Sequence, residues 1–208
     1  MIALNVPDFP GRHLPVVNIS SEDWLALISD ANPLVFMIPV IWLVFLLSFI
    51  VPLKRFGLVP RTGSGLAGVV GMPFLHEDFK HLMSNTVPLG LLLLLLYKTA
   101  AGALTVVLCI QLLGGLTLWL FGRRAIHIGA SLLVFGLTGF HISNGLLHST
   151  MWSVGIALVV AALYGSTFLT SINPWRKGSS WDGHLFGFLS GVAVAVLFSR
   201  NEILKSFW

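Results

Sequence analysis

The chain has 208 residues, of which 56% are apolar and only 10% are charged, and its mean hydropathy is +0.90. A soluble domain carries about 25% charged residues, so this composition excludes an ordinary soluble protein and indicates an integral membrane protein. The net charge of +4 does not indicate nucleic-acid binding, because the 12 Lys and Arg residues are scattered between apolar segments, where they mark membrane edges.

Cysteine content and the N-terminus restrict the class further. Cys109 is the only cysteine and lies in an apolar run, which excludes a disulfide framework and a cysteine-based metal site. The N-terminus has no basic start followed by an apolar core and a cleavage site, so no removable signal peptide is predicted.

Residues 1–33 form a polar N-terminal segment, in which the stretch SSEDWLALISD predicts a short interfacial helix. Six apolar segments follow, near 34–53, 82–97, 102–121, 131–147, 151–171 and 184–199. We therefore predict an all-α membrane protein, a six-transmembrane-helix bundle over residues 34–200, with a C-terminal tail at 201–208.

Two features of this bundle are unusual. The connection 54–80 is the longest and is rich in Gly and Pro, and long irregular connections in compact proteins are often functional. The fourth span, from Ser131 to Leu147, would be only about 25 Å long as an α-helix, which is shorter than a bilayer core of about 30 Å. One end should then lie below the membrane surface, where a hydrated cavity would satisfy its backbone groups.

The stretch FLHEDFKHLMSN resembles the zinc motif H-E-x-x-H, but His76 and His81 are five residues apart. On a continuous helix that spacing turns them about 140° from each other, so no metal site is predicted. His81 and Asn85 have the i, i+4 relation and present two hydrogen-bond donors on one face. The alternative is a polar contact in helix packing, which contributes about 1 kcal/mol or less in membranes.

Two further polar residues lie at the starts of later spans. Ser131 follows Gly129 and Ala130, and it is either an accessible hydroxyl or one of the packing serines common in membrane helices. His184 precedes Gly187 and Gly191 on one helical stripe, where small residues allow a second backbone to approach closely. A histidine at the edge of a span indicates either function or a structural polar contact.

Together these groups supply what acyl transfer requires: a hydroxyl nucleophile, an imidazole base and donors for an oxyanion. A carboxylate to orient the imidazole is not evident, since Asp182 is too near His184 in sequence to face it on a helix. The residues therefore favour a Ser–His dyad over a triad, with no cofactor and no metal.

The sequence resembles the rhomboid family of intramembrane serine proteases over about residues 34–200. Three separated motifs carry the resemblance: H-x4-H-x3-N in the second span, G-x-S in the fourth and H-x2-G-x3-G in the sixth. They fall at His76, His81 and Asn85, at Gly129 and Ser131, and at His184, Gly187 and Gly191.

The resemblance implies that Ser131 is the nucleophile and His184 the general base. It implies an oxyanion hole formed by His81, Asn85 and the Ser131 backbone N–H, with His76 supporting the site. The expected substrates are transmembrane helices of other membrane proteins, cleaved within the lipid bilayer.

The chain departs from the family pattern at two positions near the serine. Leu132 stands where the family usually has glycine, which predicts crowding near the oxyanion hole. Phe135 stands where tyrosine is common, and its ring is expected to stack on the catalytic histidine. The Trp-Arg pair of the family's first loop is also missing. Leu132 keeps an alternative open, a catalytically inactive rhomboid-like protein that binds transmembrane helices.

The positive-inside rule and the family resemblance predict opposite membrane orientations. Most basic residues follow the first, third and fifth spans, so the positive-inside rule places the N-terminus outside. The resemblance implies the reverse orientation in a bacterial plasma membrane, with the site opening outward. We favour the second orientation, because part of the connection 54–80 is expected to be embedded in the membrane or packed in the protein.

Overall fold

The computed structural model describes residues 33–99, 102–175 and 180–205. Within these ranges the chain is helical, and its only β-type pairing is an isolated bridge between Leu58 and His127. The predicted interfacial helix near the N-terminus lies outside the described residues. The all-α architecture predicted from the sequence is therefore found in the part of the chain that the structure describes.

Among the described residues, six long helices correspond in order to the six apolar segments. They are α1 (Pro33–Leu47), α2 (Phe79–Thr99), α3 (Ala103–Phe121), α4 (Ser131–His148), α5 (Met151–Ser171) and α6 (Trp181–Lys205). Helices α2, α3, α5 and α6 contain spans that are long and apolar enough to cross a membrane. Helices α1 and α4 are not among these four, so the count of six spans stays a prediction.

Local residues explain where several helices begin. The Asp78 carboxylate accepts a hydrogen bond from the backbone N–H of His81 at 2.7 Å and caps α2. Helix α5 starts with a capping box, in which the hydroxyl of Thr150 accepts from the backbone N–H of Ser153. Helix α4 has 18 residues, one more than expected, and α6 begins three residues before the predicted span.

The long connection between α1 and α2 is packed on the protein. It contains two 3₁₀ turns, Leu53–Phe56 and Met72–Phe74, and two one-turn helices, Gly63–Leu66 and Gly68–Gly71. Two side chains of α3 hold it: the Trp119 indole donates to the Thr62 carbonyl at 2.9 Å, and the Gln111 amide donates to the Val69 carbonyl at 2.5 Å. The expectation that this connection packs against the protein is therefore confirmed for these residues.

Helix α4 occupies the centre of the bundle and packs most extensively against α6. A Cβ atom added at Gly187 of α6 would overlap the carbonyl oxygen of Leu132, and one at Gly191 would overlap the carbonyl oxygen of Gly136. The two backbones are therefore in direct contact, as the glycine stripe predicts. This contact fixes the position of the start of α6 relative to the start of α4.

Candidate active site

Ser131 is the first residue of α4 and is half-buried. The backbone turns into the helix at Gly129, whose φ of +106° is a conformation that side chains with a Cβ rarely adopt. The amides of the first helical turn have no partner within the helix, and the helix dipole places partial positive charge there. Ser131 therefore begins the helical turn whose free backbone donors suit a developing negative charge.

His184 is the fourth residue of α6 and contacts two other helices. Its ring packs on Phe135 of α4, with ring centroids 4.6 Å apart and planes inclined by 50°. Its Nδ1 atom lies 3.3 Å from the carbonyl oxygen of Ser171 at the end of α5. A carbonyl can only accept, so this bond requires the proton on Nδ1 and leaves the lone pair of a neutral ring on Nε2.

The packing of α6 on α4 brings His184 to the first turn of α4. Phe135 lies one turn after Ser131, and Gly187, one turn after His184, abuts the backbone of Leu132. Within the described residues no hydrogen bond joins the Ser131 hydroxyl to His184. Such bonds are often long before substrate binds and tighten in the complex. The contacts of Phe135 and Gly187 therefore bring the start of α6 to the start of α4, and the pairing of Ser131 with His184 stays a prediction.

His81 and Asn85 face the same backbone segment. The position of a Cβ atom on Gly129 would be 2.6 Å from Nε2 of His81 and 3.8 Å from Nδ2 of Asn85. The Asn85 amide also donates to the His81 carbonyl at 2.8 Å, so one of its two N–H groups is occupied. Both side chains therefore reach the turn that leads into Ser131, and the predicted i, i+4 face is confirmed.

His76 differs from its expected setting. Helix α2 begins at Phe79, so His76 precedes it, and the 140° separation from His81 expected on a continuous helix does not apply. The two rings make an edge contact with centroids 5.1 Å apart. His76 is only 2% exposed, and neither ring nitrogen has a hydrogen-bond partner among the residues that the structure describes. Burial, with a smaller contribution from His81, lowers the pKa of His76 to about 4.

The residues that the structure describes contain no group of three or more His, Cys, Asp or Glu side chains able to hold a metal ion. The contact between His76 and His81 brings two imidazoles together without a third ligand. Two imidazoles fall short of the three protein ligands that catalytic zinc sites use.

Leu132 does not crowd the oxyanion region. Its side chain is directed at α3, where the position of a Cβ atom on Gly114 would be 3.0 Å from Leu132 Cδ2. It belongs to a buried cluster with Leu58, Val69, Met72 and Leu118. Gly114 leaves the space that Leu132 fills, so a leucine is accommodated at this position.

Two residues near the site are not indicated by any sequence motif, and both lie at the end of α5. Phe168 stacks on Phe188 at a centroid distance of 4.2 Å and also contacts Phe135 at 5.6 Å. Ser171 contributes only its backbone carbonyl to His184. An aromatic residue in an apolar helix is unremarkable in sequence, and a carbonyl carries no residue-type signal, so neither contact could be read from spacing.

The fold and site define a helical membrane protein with a polar site built from the starts of α2, α4 and α6. Residues 63–201, more than half of the chain, match the Rhomboid domain family. The chain belongs to the rhomboid family, and the resemblance seen in its motifs is thereby confirmed.

The chain is similar to several mycobacterial proteins. The chain is 40% identical over 157 residues to uncharacterized proteins of Mycobacterium tuberculosis and Mycobacterium bovis, with 70% of this chain and 65% of each relative covered. It is 34% identical over 146 residues to an uncharacterized protein of Mycobacterium leprae, covering 66% of this chain and 58% of the relative. The chain thus spans less than two thirds of the length of these relatives.

Proposed function

We propose that this chain is an intramembrane serine endopeptidase, which cleaves transmembrane segments of other membrane proteins through a Ser131–His184 dyad. The observation that carries the proposal is the placement of His184. Its ring lies beside the first turn of α4, and the Ser171 carbonyl holds Nδ1 so that the basic Nε2 remains available. Membership of the rhomboid family supports the same reading.

In the first step, the Ser131 hydroxyl attacks the carbonyl carbon of the scissile peptide bond and its proton passes to Nε2 of His184. The developing oxyanion is stabilised by the Ser131 backbone N–H and by the side chains of His81 and Asn85. His184 then gives the proton to the leaving amine, and the peptide C–N bond breaks. An acyl-enzyme on Ser131 remains.

In the second step, water enters at the start of α4 and loses a proton to His184 as it attacks the ester. Collapse of this intermediate releases the new carboxyl end and returns the proton to Ser131. Because His184 Nδ1 donates to a carbonyl rather than to a carboxylate, the imidazolium formed in each step has no ionic partner on that side. This neutral acceptor is the reason for proposing a Ser–His dyad and not a triad with a carboxylate.

The substrate must present an unwound peptide bond, because a helical one is shielded and already hydrogen-bonded. We expect small residues near the cut and helix-weakening Gly or Pro nearby. The relatives support a bacterial plasma membrane as the location. A reporter fused to the C-terminus tests the orientation: the family topology requires that the starts of α2, α4 and α6 face outward.

Cleavage of a reporter transmembrane substrate in proteoliposomes tests the proposal. Ser131→Ala and His184→Ala are each expected to abolish cleavage while the folded state is retained, as judged by the thermal transition. Cleavage by folded Ser131→Ala at the wild-type rate excludes Ser131 as the nucleophile.

The alternative function, an inactive rhomboid-like protein that binds transmembrane helices, depended on crowding by Leu132. The Leu132 side chain lies against α3, so that support is removed. A fluorophosphonate separates the two functions, because only an activated serine reacts with it. Labelling of Ser131 favours the protease, and binding of the reporter helix without labelling or cleavage favours the alternative.

A further inference from the structure

Asp182 is a buried carboxylate that the proposed dyad does not use. It lies in the first turn of α6, two residues before His184, and is only 1% exposed. Its Oδ2 accepts a hydrogen bond from the backbone N–H of Arg123 at 2.8 Å, and its Oδ1 accepts from the Arg123 guanidinium at 3.2 Å. Asp182 therefore binds the segment between α3 and α4.

His127 makes a second link between the same two segments. Its Nε2 lies 3.2 Å from the Arg123 carbonyl, so Nε2 donates and Nδ1 is the acceptor of a neutral ring. Nδ1 lies 2.7 Å from the hydroxyl of Ser180, the residue before α6. The Asp182 carboxylate is 3.8 Å from Nε2. Burial lowers the pKa of His127, which favours this neutral form.

The remaining contacts of this segment leave it little freedom. His127 exchanges two backbone hydrogen bonds with Leu58 of the first connection, at 2.8 and 3.0 Å, and the Gly129 N–H donates to the Met72 carbonyl at 2.9 Å. Ser131 follows His127 by four residues. A shift of the segment at Arg123 and His127 would therefore be transmitted to the nucleophile.

We propose that Asp182 is a positioning residue, which sets the distance between nucleophile and base by holding the segment that leads into Ser131 against the helix that carries His184. This inference rests on the proposed function. The glycine contacts fix α4 to α6 along their length, and Asp182 fixes the loop end of the same pair. A misplacement of about 1 Å between reacting groups lowers rates by up to about 10²-fold.

The test compares variants that remove different parts of this contact. Asp182→Ala removes the acceptor for the Arg123 backbone N–H and is expected to lower kcat by about 10- to 100-fold with KM little changed. Asp182→Asn keeps an acceptor oxygen and is expected to lower kcat by about 3- to 10-fold, since the shape of the contact is retained. Arg123→Ala removes the half-exposed guanidinium that donates to Asp182 Oδ1 but keeps the backbone N–H that donates to Oδ2, and it is expected to change kcat by less than about threefold.

Thr150→Ala is the matched control. It removes a comparable hydrogen bond at the N-terminus of α5, which the Ser153 N–H donates to Thr150 Oγ1 at 3.1 Å, away from the site. It should lower thermal stability with kcat unchanged. The rate of Ser131 labelling by a fluorophosphonate is the second readout, and it should fall in Asp182→Ala by the same factor as kcat.

Each outcome decides the inference. If folded Asp182→Ala has the kcat and labelling rate of Thr150→Ala, Asp182 is only a stabilising residue and the inference is wrong. If Asp182→Ala does not fold, Asp182→Asn decides, and a kcat within twofold of wild type overturns the inference. Failure of the proposed function appears differently, as absent cleavage by the wild-type protein or as retained cleavage by Ser131→Ala.

Discussion

Gly187→Ala tests whether the backbone contact between α4 and α6 holds the site together. The added methyl would overlap the carbonyl oxygen of Leu132, with the Leu132 carbonyl carbon at 3.0 Å and its Cα at 3.1 Å. These atoms belong to backbone and cannot rotate away. Restoring ordinary contacts of about 3.5 Å requires the two helices to separate by roughly 1 Å.

That separation would displace Leu132, the residue after Ser131, relative to α6. Overpacking of this kind costs about 1–3 kcal/mol in the free energy of unfolding. A displacement of roughly 1 Å between Ser131 and His184 predicts a loss of up to about 10²-fold in kcat. The effect on kcat should therefore exceed what the loss of folded protein explains.

The assay is cleavage of a reporter transmembrane substrate in proteoliposomes, with the rate divided by the folded fraction from a thermal scan. Gly155→Ala is the matched control, because a Cβ atom at Gly155 of α5 would meet nothing within 4 Å. It should leave kcat unchanged and raise stability by up to about 1 kcal/mol through helix propensity. If folded Gly187→Ala has the same kcat as Gly155→Ala, the backbone contact between α4 and α6 does not hold the site together.

Four other predictions follow from the site. Gly129→Ala should lower kcat by about 10²–10³-fold, because φ is +106° there and the methyl would meet His81, the proposed oxyanion donor; kinetics and labelling of the serine check this. Phe135→Tyr should remain active whereas Phe135→Ala should lower kcat, since only the tyrosine retains the ring against the base. Leu132→Gly should destabilise the protein by about 2–5 kcal/mol in denaturation assays while activity per folded molecule changes little. Burial lowers the pKa of His76 from 6.5 to about 4 and keeps its ring neutral. Its contribution to stability is therefore present above pH 6.5 and is lost as the pH falls towards 4. The thermal transition of His76→Gln should depend less on pH over that range than the transition of the wild-type protein.

The helices were predictable because long apolar segments have few alternatives in a bilayer. The first residues of the helices were less predictable, because they depend on single capping groups. The Asp78 carboxylate, for example, fixes the beginning of α2. That beginning removed His76 from the helix and overturned the geometric argument about its separation from His81. The relative placement of these two rings therefore depends on where α2 begins, which their spacing alone does not give.

The close contact between α4 and α6 was predictable, because Gly187 and Gly191 stand at a spacing that lets a second backbone approach. Contacts that depend on the direction of a side chain could not be predicted from the sequence. The sequence shows a leucine after Ser131, but only packing shows that its side chain turns to α3 and fills the space at Gly114. The Ser171 carbonyl that binds His184 is likewise invisible in sequence, because every residue carries the same group.

Activation of the Ser131 hydroxyl by His184 can be measured by reaction with a fluorophosphonate followed by peptide mass spectrometry. We expect a single phosphonate adduct on Ser131 in the wild-type protein, with labelling lost in folded His184→Ala and retained in Thr150→Ala. An unlabelled Ser131 in wild-type protein that cleaves its substrate, or equal labelling with and without His184, would contradict it.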